Sequence, residues 1–165
     1  MIRQWHDPAS VAALFQDWDE TMIRSCLQQL MGTLYVAEPD APASVCAQLG
    51  CFAFYAGRPN AALLQARPKG FAVLTPQNEA WDRLIGQQLP EARHVTRYAM
   101  RKDTRFDRKK LRALASQLPA GYLLRRIDGA LYTQCLADPA TADFVSAFDS
   151  RAHYLEYGRG VVILK

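Results

Sequence analysis

Hydrophobic residues at helical spacing predict two short amphipathic helices near the start of the chain. Asp7 and Pro8 form a good helix start. A second helix is expected from about Glu20 to a stop at Gly32. The apolar residues at helical spacing are Val11, Leu14, Phe15 and Trp18 in the first helix and Ile23, Cys26, Leu27 and Leu30 in the second. Each helix therefore has one side that can be buried.

The pattern after these helices is that of β-strands. Residues 33–37 and 44–56 contain β-compatible residues, with Gly50 inside the longer run, and residues 71–74 form a short apolar strand. The Gly-Arg-Pro-Asn segment at 57–60 predicts a turn.

Two more helices and a strand are expected before residue 118. Thr75-Pro76 should open a helix that Pro90 ends, and residues 94–100 suit a strand with alternating burial. Asp107 should cap a helix over residues 108–118, whose basic side faces water. The apolar sides of these two helices are Trp81, Leu84, Ile85 and Leu89, and Leu111, Leu114, Ala115 and Leu118.

A second unit is expected from Tyr122 onward. Its predicted elements are a strand over 122–127, a helix over 130–136, a helix over 138–148, a short helix capped by Ser150, and a strand over 160–165. A strand without neighbours presents unpaired N–H and C=O groups. The last strand is therefore expected either to be a central strand covered on both sides or to lack the strand that follows it in sequence. We therefore predict a mixed α+β fold, with an N-terminal lobe over residues 1–118 and an incomplete second domain over 119–165.

Composition restricts the class of protein. Half of the 165 residues are apolar, which is enough for a buried core. The chain contains no run of about 20 apolar residues and no signal peptide at its start, so the expectation is a cytoplasmic protein without a membrane partner. The four cysteines show no paired CxxC spacing, so neither a zinc site nor a disulfide framework is expected.

Positive charge is concentrated in residues 93–112. This segment has nine Lys or Arg against Asp103 and Asp107, a net charge of +7, whereas the rest, with 11 basic and 14 acidic residues, is −3. Such a stripe can attract phosphate, or it can be a solvated helix face. A nucleic-acid binder is disfavoured, because Tyr98 and Phe106 alone are interleaved aromatic residues.

Three groups of short strings point to a known family. The first is Ser25-Cys-Leu-Gln-Gln-Leu-Met-Gly32, and the second runs from Gly50 to Asn60, with Cys51 where Asp is expected. The third comprises residues 97–100, 106–107, 118–121, 127–128, 131–135 and 143–148, followed by Tyr154 and Gly158. Together these strings resemble a bacterial family of GNAT-superfamily N-acetyltransferases, in which an N-terminal lobe precedes the catalytic core.

The resemblance implies a fold and an activity. From about residue 121 the chain is expected to open a GNAT core, with its first strand, the two helices that border the acceptor site, and its second strand. The lobe before it is expected to be a degenerate GNAT-like unit with a mixed, mostly antiparallel sheet flanked by helices. The implied activity is acetyl transfer from acetyl-CoA to a small-molecule or peptide amine.

The acetyl-CoA loop of such enzymes has the pattern Arg/Gln-x-x-Gly-x-Gly/Ala between a strand and a helix, whose N–H groups hold the pyrophosphate. Arg67-Pro-Lys-Gly-Phe-Ala72 matches it literally. We reject this match because Gly70 leads into a predicted strand and Pro68 removes an N–H donor. Arg83-Leu-Ile-Gly86 is a partial match within a predicted helix. We therefore expect no cofactor-binding residues here, no tight acetyl-CoA binding, and no activity from these residues alone.

Candidate acceptor-site residues follow from the same resemblance. In GNAT cores the acceptor contacts the loop between the first two helices, here about residues 137–148. Asp143, Phe144 and Ser146 could line that pocket, with His153 and Tyr154 facing the same cleft. Helix capping and surface exposure are the alternative roles. No catalytic residue and no metal ligand is assigned, because His6 and His94 lack partner spacing.

A binding module is the competing hypothesis. In that interpretation the strand over 161–164 pairs with a partner or with its own copy by strand addition, which would give a homodimer.

Overall fold

The computed structural model describes residues 1–98, 105–146, 148, 150–158 and 160–164. The strands are β1 (Arg3–Trp5), β2 (Thr33–Val36), β3 (Ser44–Leu49), β4 (Phe52–Gly57), β5 (Val73–Pro76), β6 (Leu123–Arg126) and β7 (Val161–Leu164). The α-helices are α1 (Ala9–Ala12), α2 (Thr21–Leu27), α3 (Glu79–Gln88), α4 (Arg108–Ala115), α5 (Gly129–Ala137), α6 (Ala142–Ser146) and α7 (Arg151–Tyr157). Two 3-10 helices lie at Ala13–Phe15 and Ala61–Ala66.

The first five strands form one sheet in the order β1-β2-β3-β4-β5. The first three pairings are antiparallel, and β4 pairs with β5 in parallel. The β3–β4 hairpin is tight, since Leu49 is paired with Phe52 across a turn of two residues. We call this sheet with its covering helices, residues 3–88, the five-stranded unit.

Both faces of the five-stranded unit are covered. Alternate residues of β3 and β4 point to opposite faces, as in any strand. One face buries Val45, Ala47, Phe54 and Ala56 beneath α1 and α2, together with Val11, Phe15, Ile23, Cys26, Leu34 and Val36. The other face buries Cys46, Ala53 and Tyr55 beneath α3 and the second 3-10 helix, together with Ala37, Leu63, Leu64, Trp81 and Ile85. This double burial explains why β3 and β4 are almost continuously apolar.

The elements that follow α4 form a smaller unit. Strands β6 and β7 pair antiparallel, with Leu123 opposite Leu164 and Arg126 opposite Val161. Helices α5, α6 and α7 share a small core of Tyr132, Cys135, Val145 and Tyr154. We call residues 123–164 the two-stranded unit. An isolated antiparallel bridge between Met31 and Phe148 joins it to the five-stranded unit.

The structure confirms the mixed α+β class and most predicted elements, and it corrects others. Residues 94–98 form no strand, while residues 99 and 100 lie outside the described residues. Pro76 ends β5 instead of opening a helix, because Asn78 caps α3 through bonds from the N–H groups of Ala80 and Trp81. Strand β1 was not predicted.

The predicted apolar side of α4 is not buried. Asp107 caps the helix by accepting from the Lys110 N–H at 3.0 Å, as predicted. However, Leu111 and Leu114 are 50% and 54% exposed. A local pattern identifies the helix and its cap but does not supply a surface for the helix to pack on.

None of the helices in the described part of the chain has the length and apolar character that crossing a membrane requires. Among the same residues, no group of three or more His, Cys, Asp or Glu side chains is arranged to hold a metal ion.

A polar cluster closes the end of the sheet opposite the β3–β4 turn. The Glu38 carboxylate accepts hydrogen bonds from the Ser44 hydroxyl and the Asn60 amide, both at 2.9 Å, and contacts the Arg58 guanidinium at 3.4 Å. Burial alone would raise the pKa of Glu38, but these donors outweigh it and lower that pKa below its ordinary value. The ionised carboxylate therefore stabilises the fold.

Glu38→Gln should destabilise the protein at neutral pH by about 1 kcal/mol, since the variant loses charge-assisted bonds at a partly exposed site. A lowered folded-state pKa contributes stability above the ordinary glutamate pKa of about 4.3, and this contribution is lost as the pH falls through the folded value. Urea unfolding at pH 7 and below pH 4 should therefore show the two proteins converging in acid. The exposed Glu91→Gln is the control, and a difference that does not change with pH would contradict the assignment.

The backbone at Gly57 predicts a second effect on stability. Gly57 and Gly50 both have positive φ, +77° and +56°, so alanine at either position costs about 1 kcal/mol or more. A Cβ at Gly57 would also overlap the Ala43 carbonyl oxygen, whereas none of the described atoms lies within 4 Å of a Cβ at Gly50. Urea unfolding should show Gly57→Ala to be less stable than Gly50→Ala by roughly 1 to 3 kcal/mol. Equal losses would mean that no steric conflict exists there.

Candidate functional site

A cleft of about 730 Å³ lies between the two units. We call it the interlobe cleft. Its first wall belongs to the five-stranded unit and consists of Gly32, Thr33, Gln48, Gly50, Cys51, Pro68, Lys69 and Phe71. Its second wall belongs to the two-stranded unit and consists of Asp143, Ser146 and Phe148. This volume lies within the range of small-molecule sites, roughly 300 to 1,000 Å³.

The first wall is fixed by close backbone contacts. Gly32 has a positive φ of +77°, and a Cβ there would overlap the Gln48 carbonyl oxygen and lie 2.7 Å from the Cys26 sulfur. The segment between α2 and β2 can therefore approach β3 this closely only because position 32 is glycine. The loop that carries Lys69 is held beside the hairpin turn, where the Val73 N–H donates to the Cys51 carbonyl at 2.8 Å.

The second wall is positioned by the turn between α5 and α6. The Thr141 hydroxyl donates to the Cys135 carbonyl at 2.8 Å. Val145, which is 1% exposed, anchors α6 in the core of the two-stranded unit. Asp143 and Ser146 are three residues apart, so they share one face of α6, and both line the cleft.

The charged residues that line the cleft are of opposite sign and lie on opposite walls. They are Lys69 on the first wall and Asp143 on the second, and both are exposed. Within the described residues neither side chain forms an ion pair or a hydrogen bond. The cleft therefore offers one cationic and one anionic group that are not neutralised by each other.

The predicted acceptor residues are distributed over four environments. Asp143 and Ser146 line the interlobe cleft. Phe144 is 77% exposed and is not part of its lining. His153 is half-buried and lines a smaller recess with His6 and Gln29. Tyr154 is buried in the core of its unit. The structure thus brings together two of the five residues, and a role in substrate binding stays a prediction for all of them.

Tyr154 has a clear structural role. Its ring lies 5.0 Å from that of Tyr132 and 5.2 Å from that of Phe148, measured between centroids. Its hydroxyl occupies the space that a Cβ at Gly160 would need. Burial raises the pKa of the Tyr154 phenol, and the neighbouring Cys135 and Tyr132 raise it further. The residue is therefore a neutral core phenol that links α7 to α5.

The cysteines differ in access to the cleft. Cys51 is half-buried and lines it, whereas Cys26, Cys46 and Cys135 are buried and all four are free thiols. Burial raises the pKa of Cys26 to about 11 and also raises that of Cys46. These two thiols are therefore protonated at neutral pH and act as small apolar residues.

The residues that match the acetyl-CoA pattern do not fit a diphosphate. Arg67 donates to the Leu64 carbonyl at 2.9 Å, and Gly70 is followed by the strand β5 instead of a helix. Gly86 lies inside α3, whose Trp81 and Ile85 are buried. Neither match presents N–H groups at a helix start, as the sequence analysis predicted.

The first wall was missed in the sequence analysis. Lys69 and Phe71 belong to the rejected phosphate-loop match, and Thr33 and Gln48 were interpreted only as strand residues. The available signal was the pair of glycines at 32 and 50, since both have a positive φ and both line the cleft. That signal marks tight turns but not the surface that they face.

Comparison with known proteins gives a consistent result. A family model described as GNAT acetyltransferase matches residues 12–165. The fold is similar to a crystal structure of a GCN5-related N-acetyltransferase-like protein from Streptococcus suis, with a TM-score of 0.82 and 38% sequence identity. That similarity covers 96% of this chain and 65% of the other, so this chain spans less than two thirds of that protein's length. A search of curated proteins gave no match.

Proposed function

This chain belongs to the GNAT acetyltransferase family, and on that premise we propose that it forms the acceptor side of an N-acetyltransferase. The reaction is transfer of an acetyl group from acetyl-CoA to an amine. The observation that carries the proposal is the interlobe cleft, because α6 presents Asp143 and Ser146 to it from one face. The family match over residues 12–165 supports the reaction class.

The residues on α6 suit an amine acceptor. The Asp143 carboxylate is exposed to the cleft and can bind an ammonium group through a charge-assisted hydrogen bond. The Ser146 hydroxyl on the same face can accept or donate a further hydrogen bond. Their role in this proposal is to bind and orient the amine.

We further propose that these 165 residues do not hold the diphosphate of acetyl-CoA. Support comes from residues 67–72, which match the loop pattern but continue into β5. The N–H groups that a diphosphate needs must then come from other residues. The 165-residue chain is expected to have no acetyltransferase activity by itself.

Calorimetry tests the cofactor part of the proposal. Titration of the 165-residue chain with acetyl-CoA should give no binding with a Kd below about 10 μM. A chimera that adds the part of the Streptococcus suis relative that this chain does not cover should release CoA thiol in the presence of suitable amines. In the chimera, Asp143→Asn should raise the KM for the amine about tenfold or more, and the exposed Asp40→Asn should not. Tight acetyl-CoA binding by the 165-residue chain would contradict the missing diphosphate site.

One observation favours a second candidate function, an interaction module. All four residues of β6 are exposed, with Leu123 at 50% and Leu124 at 49%, and Val161 at the start of β7 is 57% exposed. Within the described residues, β6 and β7 pair only with each other, so each has an open edge. An exposed apolar strand with an open edge favours pairing with another chain. In this candidate function the chain forms a homodimer through β7.

Light scattering after size-exclusion chromatography tests the pairing. If the module pairs with its own copy, the 165-residue chain should be dimeric at about 100 μM, and Val161→Lys on β7 should return it to a monomer. Leu136→Lys on α5 is the matched control, since Leu136 is similarly exposed at 46% but lies outside the strands. A chain that remains monomeric at high concentration excludes self-pairing.

A further inference from the structure

We infer that the interlobe cleft selects a zwitterionic acceptor, an amine of up to dipeptide size that also carries a carboxylate and an apolar side chain. This inference rests on the proposed function and names the substrate class of that site. In it the ammonium group binds Asp143, the carboxylate binds Lys69, and the apolar part lies against Phe71 and Phe148. The five-stranded unit then takes part in substrate selection.

The charges on the two walls are the first observation that supports the inference. Lys69 and Asp143 line the same cleft from opposite sides, and no ion pair or hydrogen bond within the described residues engages either side chain. A ligand with both charges can bind both groups at once. A polyamine would meet Lys69 as a like charge, and a polyanion would meet Asp143 as a like charge. The cleft therefore favours a ligand with one charge of each sign.

The apolar residues that line the cleft are the second observation that supports the inference. Phe71 is 79% exposed at the edge of the cleft, and Phe148 faces it from the second wall. Covering an exposed phenyl ring with an apolar group is favourable, because apolar surface leaves water. Among the other lining residues, Thr33, Gln48 and Ser146 offer neutral hydrogen-bonding groups that suit a peptide amide. An apolar dipeptide matches this combination of surfaces.

The anchoring of the loop that contains Lys69 is the third observation that supports the inference. The loop over residues 67–72 is fixed at its end by the bond from the Val73 N–H to the Cys51 carbonyl at 2.8 Å. Lys69 therefore lies on a short loop that is anchored beside the hairpin turn, which lowers the entropic cost of binding. The same segment that fails as a phosphate loop serves here as a single cationic contact.

Binding to the 165-residue chain tests the inference without acetyl-CoA. The probes are the dipeptide Ala-Phe, its C-terminal amide and its N-acetyl derivative, titrated by NMR. The free dipeptide should bind, and each blocked form should bind about tenfold more weakly, because each loses one charge pair. Added salt should weaken the free dipeptide most.

Variants separate the two contacts. Lys69→Ala should weaken the free dipeptide about tenfold and leave the amide unchanged, whereas Asp143→Asn should weaken both. Lys110→Ala is the control, since Lys110 is exposed on α4 outside the cleft. An unchanged NMR dispersion for each variant shows that it is folded.

The outcomes distinguish this inference from the proposed function. If the amide binds as well as the free dipeptide, or if no probe binds, selection of a zwitterion is wrong. Turnover by the chimera with simple amines would still support the proposed function in that case. If the dipeptide binds as expected but the chimera acetylates no amine, the cleft is a zwitterion site and the acetyltransferase proposal fails.

Discussion

Burial of the β3–β4 hairpin on both faces is the constraint on which the rest of the structure depends. Val45 and Phe54 pack into one core, while Cys46 and Tyr55 pack into the other. A shift of one residue in register would exchange the two sets, so the pairing is strongly specified. Because the hairpin is fixed, its turn at Gly50 and Cys51 and the adjoining loop that carries Lys69 form a defined wall.

The two-stranded unit is held by fewer contacts. Among the described residues its core cluster consists of Tyr132, Cys135, Val145 and Tyr154, and the bridge between Met31 and Phe148 joins it to the larger sheet. Phe148 is therefore both a structural junction and a lining residue of the interlobe cleft. A ligand that touches both walls would add contacts at this junction, so binding and the relative stability of the two units are expected to be coupled.

The apolar surface is distributed unequally between the units. In the five-stranded unit both sheet faces are covered, whereas Leu123 and Leu124 of the two-stranded unit are about half exposed. Exposed apolar residues that are contiguous in a fold commonly mark a surface that binds further polypeptide. The relative from Streptococcus suis, of which this chain covers 65%, shows that family members of greater length exist. The proposal of chain pairing follows from this uneven burial.

The amino-acid sequence by itself determined the features that depend on neighbouring residues. The caps at Asp107 and Ser150 were predicted because a cap is satisfied within a few residues. The family was also predicted from short strings. Only the tertiary structure decided what requires distant contacts. It showed that residues 94–98 are not a strand, that Leu111 is exposed, and that Lys69 faces the same cleft as Asp143. The physical reason is that burial and proximity depend on which surfaces are available elsewhere in the chain, and a local pattern contains no information about them.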